Sequence, residues 1–168
     1  MVARVALVMT SRRIALGVAV LVAAALLLPV ILVICGYERG PSGRLATVAE
    51  RADTPGGVRA IDWDGSVNFQ IFYGLRGNTE YWYHGHVSPT AFERLCAANH
   101  RDPGVVFEGS PQEVDGAVKG RVIDGTRFTY PRNKGFHSPG WEGPSGEFYR
   151  VWYFPDERLL ITRVQKSG

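Results

Sequence analysis

Two histidines separated by one residue, in the sequence His84-Gly85-His86, form the pattern with the clearest potential for chemistry. In a β-strand, side chains two positions apart point to the same face, so the two imidazoles would lie about 6.6 Å apart along the strand. That spacing allows both histidines to bind one zinc ion. A catalytic zinc also needs a third protein ligand and a bound water. The candidates for the third ligand are Glu80, Glu93, His100 and His137.

A long segment rich in glycine and proline, residues 131–146 (PRNKGFHSPGWEGPSG), holds a second group of candidate residues. Loops of this length are uncommon in compact domains unless they bind a ligand or move. Phe136 and Trp141 could stack on a sugar or hold a peptide, and an aromatic face of the neighbouring sheet would extend that surface. The predicted binding residues are Trp82, Phe136, His137 and Trp141. In the alternative interpretation, Trp141 folds back and covers the sheet, as large aromatic side chains generally do.

Runs of alternating apolar residues predict the strands that would position these side chains. The clearest runs are residues 67–73, 79–87, 147–154 and 159–165, and the last two form a hairpin around residues 155–158. Weaker strand patterns occur at residues 60–63, 104–108, 117–123 and 126–130. We therefore expect several short strands that pair mostly in antiparallel fashion.

One helix is predicted beside these strands, over residues 89–99. Ser88 can cap its first turn, Pro89 suits the first helical position, and Phe92 and Leu95 share one apolar face. The fold class predicted for residues 60–168 is α+β, a small, mostly antiparallel β-sheet domain with one packed helix. Aromatic residues fall on both faces of the predicted strands, so the face away from the helix must be covered by long loops, a partner or a ligand.

The N-terminal part of the sequence predicts a membrane anchor. From Ile14 to Cys35, 22 residues carry no charged side chain, and a helix of that length spans roughly 33 Å, against about 30 Å for the hydrocarbon core of a bilayer. A cleaved signal peptide is the competing interpretation, with a cleavage site in residues 23–25. A long apolar run follows that site, which favours an uncleaved transmembrane helix over residues 14–36, solvated by membrane lipid.

The charges around this segment predict its orientation. Arg4, Arg12 and Arg13 precede the apolar run, and no acidic residue accompanies them. The positive-inside rule then makes residues 1–13 a cytoplasmic tail and puts residues 37–168 outside the cytoplasm. Glycine and proline at both ends of residues 37–59 predict a stalk between the anchor and the domain.

The net charge of +3 comes entirely from the N-terminal segment, since residues 37–168 carry sixteen basic and sixteen acidic residues. A neutral domain excludes a large electrostatic footprint for nucleic acid. The sequence therefore predicts a single-pass, membrane-anchored protein whose extracytoplasmic domain binds a protein partner or an envelope polymer. It is expected to be non-enzymatic and to need no cofactor, and no residue is assigned a catalytic role. The alternative function is a zinc-dependent hydrolase centred on His84 and His86.

Overall fold

The computed structural model of the chain describes residues 17–18, 20–22, 37–74, 77–119 and 123–168. The few described residues before residue 37 are helical. Within the described ranges, no helix combines the length and the apolar character that crossing a membrane requires.

The predicted cytoplasmic tail, residues 1–13, and most of the predicted anchor, residues 14–36, lie outside the described residues. The chain divides into two compact units, Met1–Gly36 and Tyr37–Gly168. The second unit contains all the strands and helices named below.

Six strands of the described residues form one antiparallel sheet with the order β1-β2-β3-β6-β5-β4. Three helices accompany the sheet, together with a short 3₁₀ helix at Val48–Glu50. The strands are β1 Tyr37–Leu45, β2 Val67–Gly74, β3 Thr79–His86, β4 Gly140–Glu142, β5 Phe148–Phe154 and β6 Leu159–Lys166. The helices are α1 Gly56–Arg59, α2 Pro89–Ala98 and α3 Gln112–Lys119. The predicted α+β class with a mostly antiparallel sheet is confirmed.

The predicted helix over residues 89–99 is also confirmed, as α2. Ser88 caps it, because the Ser88 hydroxyl accepts a hydrogen bond from the Ala91 amide at 3.2 Å. Phe92, Leu95 and Cys96 of this helix are buried against the sheet. The helix thus forms where capping and apolar spacing agree.

The prediction of a single helix was wrong, because α3 occupies a region where strands were expected. Its buried residue is Val114, and Ala117 and Val118 pack on the same core, which is helical spacing. The β-branched residues Val118, Val122 and Ile123 favoured the strand predicted over residues 117–123. Of the other weak patterns, residues 104–108 and 60–63 make only isolated bridges, and residues 126–130 form turns.

The predicted stalk, residues 37–59, contributes instead to the sheet. β1 pairs along β2, with an irregularity between Arg39 and Ser42. The glycines that suggested a stalk allow close packing, because a Cβ at Gly40 would lie 2.7 Å from the Tyr73 ring. Pro41 falls within the irregularity, where the ladder tolerates a residue without an amide hydrogen.

The sheet is the middle layer of the unit, and each of its faces carries a hydrophobic core. On the first face, alternate residues of the strands pack against α2 and the 3₁₀ helix. On the second face, the other set of alternate residues packs under α3 and the irregular chain of residues 123–136. Loops of the same chain therefore provide most of the cover that the sequence left open for the second face.

Candidate functional site

A cleft of about 340 Å³ opens on the second face of the sheet, between β5, the start of α3 and residues 107–110. We call it the Arg150 cleft. Its walls are aromatic, and its polar lining residues are one arginine, two glutamates, two serines and one glutamine. The lining residues that matter here are Phe107, Glu108, Glu113, Phe136, Ser138, Arg150 and Trp152.

Strand β5 supplies the floor of the Arg150 cleft. Arg150 and Trp152 are two positions apart on β5, so their side chains leave the sheet on the same face. Trp152 is only 2% exposed and stacks on Trp82 of β3, with ring centroids 5.7 Å apart and planes within 3°. The Trp82 indole donates a hydrogen bond to a Glu80 carboxylate oxygen at 2.5 Å, which fixes the stacked pair. The floor is therefore rigid before any ligand arrives.

The wall of the cleft is held by backbone pairing between two loops. The amides and carbonyls of Phe107 and Phe136 bond each other at 2.9 and 3.0 Å, and their rings stack at 5.7 Å. His137 pairs in the same way with Tyr153 of β5, at 2.8 and 2.9 Å. The long loop is thus fastened to the sheet next to the cleft. Phe136 is buried, whereas Phe107 is half exposed at the rim.

Arg150 carries a positive charge that no described residue matches. Its Nε is buried and has no hydrogen-bond partner, and no carboxylate of the described residues lies within 4.0 Å of its guanidinium. Ser138, which also lines the cleft, has a buried hydroxyl that is likewise unpartnered within the described chain. Other buried polar atoms of the described residues also lack a partner, among them the Tyr83 and Thr162 hydroxyls, but Arg150 and Ser138 line one cleft, where a ligand can reach them.

The neighbouring Arg163 also has a buried Nε without a partner within the described chain, and it differs from Arg150 in forming ion pairs. It lies directly across from Arg150 in the β5–β6 register. One of its nitrogens is 2.7 Å from a Glu80 oxygen, another is 3.5 Å from Glu113, and its charge lies 5.6 Å from the centroid of the Trp82 ring. Arg163 therefore stabilises the fold through its ion pairs, and of these two arginines Arg150 is the one that is available to an anion.

The structure brings together only part of the predicted binding group. Phe136 lines the Arg150 cleft, and Trp82 lies beneath its floor. The other two lie on the first face: His137 packs near Phe92 at 5.7 Å, and Trp141 is 3% exposed and stacks on Tyr149 at 5.5 Å. Trp141 thus covers the sheet, as the alternative interpretation had it.

Sequence reasoning missed the residues that give the cleft its polarity, Arg150 and Ser138. A signal for Arg150 was present, because it is a charged residue between Tyr149 and Val151 in an otherwise apolar strand. A charge at an inward position of a strand indicates either a buried partner or a ligand. No local pattern marks Ser138, since its position depends on how residues 131–146 return to β5.

His84 and His86 line a second cleft, of about 330 Å³. His84 is 7% exposed, and its Nε2 lies 2.6 Å from the Thr129 carbonyl oxygen, so this nitrogen carries the proton and donates. Burial lowers the pKa of His84, and the nearby His86 lowers it further. His86 is exposed. The His84 ring is therefore a neutral group that ties residue 129 to the sheet.

A third ligand does not join the two histidines within the described chain. No group of three or more histidine, cysteine, aspartate or glutamate side chains there is arranged to hold a metal ion. Asp64, which lines the same cleft, pairs with Arg158. Glu80, a predicted third ligand, bonds Trp82 and Arg163 instead. The zinc site at His84 and His86 stays a prediction.

The chain matches no protein-family model, no curated protein and no solved structure. Function must therefore be argued from the sites themselves. Of the two clefts described, the Arg150 cleft combines aromatic walls, a rigid floor and an unmatched charge, which together are suited to binding a ligand.

Proposed function

We propose that residues 37–168 form a non-enzymatic binding domain whose Arg150 cleft takes a small organic anion with an apolar body. The observation that carries this proposal is the unmatched guanidinium of Arg150, buried at Nε, on the floor of a cleft with aromatic walls. Ligand sites are concave and mostly apolar, with a few polar groups that fix orientation. The Arg150 cleft is concave and has aromatic walls, and it is more polar than the usual site, since six of its ten lining residues are polar or charged.

The size of the cleft limits the ligand. Its volume of about 340 Å³ is near the lower end of the usual range for ligand pockets, roughly 300–1,000 Å³. A free small molecule fits this volume, and so does one side chain or chain end of a larger partner. The cleft is therefore compatible with the protein or envelope polymer expected as partner, provided that the partner presents an anionic group beside an apolar one.

The chemistry of the anion follows from the donors. A guanidinium binds a carboxylate through parallel hydrogen bonds. A hydrogen bond to a charged group contributes about 1.5–3 kcal/mol, which corresponds to roughly a ten- to hundredfold change in Kd. The Ser138 hydroxyl can donate to the same anion, while Phe107, Phe136 and Trp152 contact the apolar body.

The test uses two matched probes, 3-phenylpropionate and its uncharged amide, titrated calorimetrically into the full chain in a neutral detergent. We expect the acid to bind more tightly than the amide. The substitution Arg150→Gln should weaken the binding of the acid roughly ten- to hundredfold. Arg94→Gln is the control, since Arg94 lies on α2 at the first face and pairs only with the exposed Asp62. Equal binding of acid and amide, or unchanged binding to the Arg150→Gln variant, contradicts the proposal.

We also propose that residues 14–36 hold this domain at a membrane, with residues 1–13 in the cytoplasm and the Arg150 cleft outside it. The support is the uncharged run and the arginines that precede it. The full-length protein should stay in the membrane fraction after alkaline washing, and protease added from outside should digest the domain. A mature form that begins after residue 25, found by mass spectrometry, would overturn this part of the proposal.

A further inference from the structure

A second unmatched charge lies on the Arg150 cleft, and it has the opposite sign. Glu108 lines the cleft one residue after the Phe107–Phe136 bridge, and its side chain is exposed. No basic group of the described residues is within 4.0 Å of its carboxylate. Arg150 and Glu108 therefore line one small cleft without pairing with each other.

Glu113 is a third charged group on the Arg150 cleft, and it determines the charge balance of the lining. It lies in the first turn of α3 and is 3.5 Å from Arg163, which leaves it half exposed on the cleft. The lining thus carries two carboxylates beside the unmatched guanidinium of Arg150. A multiply charged anion such as phosphate would be repelled by these carboxylates, whereas a ligand that carries one negative and one positive charge matches both signs.

We infer that the ligand of the Arg150 cleft is an α-amino acid with an aromatic or large aliphatic side chain. Its carboxylate binds Arg150 and its ammonium group binds Glu108, so that each unmatched charge gains a partner. Its side chain packs against Phe107, Phe136 and Trp152. This inference rests on the proposed function, because it names the class of organic anion that the cleft takes.

The covalent structure of an α-amino acid suits a small cleft that carries both charges. Its ammonium and carboxylate groups are attached to the same carbon, and the side chain forms the third branch. Arg150 and Glu108 line the same cleft of about 340 Å³ together with the aromatic walls, so one small ligand is proposed to contact all three. Neither a simple carboxylic acid nor a simple amine can satisfy both charges.

The experiment compares L-phenylalanine, 3-phenylpropionate and 2-phenylethylamine, which share the phenyl group and differ in charge. Each is titrated calorimetrically into the full chain in a neutral detergent, with a blank titration into detergent alone. We expect L-phenylalanine to bind at least about tenfold more tightly than either singly charged probe. If 3-phenylpropionate binds as tightly as L-phenylalanine, the inference is wrong and the proposed function stands. If neither acid binds, the proposed function itself is wrong.

Two variants then test the role of Glu108. Glu108→Gln should weaken the binding of L-phenylalanine about tenfold and should not weaken the binding of 3-phenylpropionate, because only the amino acid has an ammonium group to lose a partner. Glu93→Gln is the matched control, an exposed glutamate on α2 at the first face of the sheet. Circular dichroism confirms that the variants fold. Unchanged L-phenylalanine binding by a folded Glu108→Gln variant overturns the assignment.

Discussion

The two faces of the sheet bury different kinds of side chain. The first face packs against α2, and its core consists of aliphatic side chains, aromatic rings and one cysteine. The second face lies under α3 and irregular chain, and it buries Gln70, Glu80 and His84 among its aromatic residues. The first face also buries Thr54, Thr162 and Glu147, but its core depends mainly on packing, whereas the charges of the second face each need a partner.

The difference between the two faces shows which buried groups of this domain to examine for a function. Glu80 and Arg163 satisfy each other on the second face, and the Trp82 indole adds a further bond. Arg150, one strand away, is left without such a partner within the described chain. The first face therefore provides stability, and the second combines stability with the proposed binding site.

The largest expected difference between the two faces comes from removing one aromatic ring from each of them. Phe92 is 2% exposed and stacks on Tyr153 at 4.1 Å, so Phe92→Ala should lower the free energy of unfolding by about 3–5 kcal/mol. Phe107 is half exposed, so Phe107→Ala should lower the free energy of unfolding by less than about 0.5 kcal/mol. The same substitution should weaken ligand binding. Urea denaturation and calorimetric titration measure the two effects. Equal losses of stability would show that the faces do not differ.

A sharper comparison substitutes the two arginines that face each other across β5 and β6. Arg163→Gln leaves the buried Glu80 without its ionic partner, so we expect a loss of about 1.5–3 kcal/mol in the free energy of unfolding. Arg150→Gln removes no ion pair of the described chain, so its effect should stay within about 0.5 kcal/mol. Chemical denaturation at neutral pH measures both variants. A larger loss for Arg150→Gln would mean that Arg150 has a structural partner.

Much of the sheet could be predicted from the sequence, because alternation and turn residues act locally. The hairpin of β5 and β6 and the start of α2 at Ser88 depend on neighbours within a few residues. β1 could not be predicted, because its glycines indicate an interruption of secondary structure when only the sequence is considered. In the structure, Tyr73 of β2 packs over Gly40. Such close approach is a property of the pair of strands and not of either sequence alone.

The candidate site was harder to predict than the fold, because it depends on contacts between distant residues. Phe136 was identified from its place in a long loop. Arg150 and Arg163 look alike in sequence, as single charges in apolar strands. Only the register and the position of Glu80 show that one is matched and the other is not. Charge matching is a tertiary property, so sequence patterns do not reveal it.

The pH dependence of stability tests the structural part of the second face. The pKa of His84 is lowered from its ordinary value of 6.5 by burial, so the folded protein keeps this ring neutral while the unfolded chain takes up a proton. The contribution of His84 to stability is therefore fully present above pH 6.5 and is lost as the pH falls below it toward the folded pKa. Urea denaturation between pH 7.5 and about 5 should show this decline. His84→Gln should flatten it, whereas His86→Gln should leave most of it in place, because burial is the larger cause of the lowered pKa of His84. An equal effect of both variants would contradict the assignment.

The smallest expected effect concerns the zinc ion that His84 and His86 were predicted to bind. Structural and catalytic zinc sites need at least three protein ligands, and the described residues offer these two histidines no third one. In addition, the Nε2 of His84 is engaged by the Thr129 carbonyl. We therefore expect elemental analysis of the purified full chain to find less than one zinc per molecule, and added zinc to leave the thermal midpoint almost unchanged. Stoichiometric zinc that disappears in a His84→Ala, His86→Ala double variant would instead favour the hydrolase and make the second face a catalytic one.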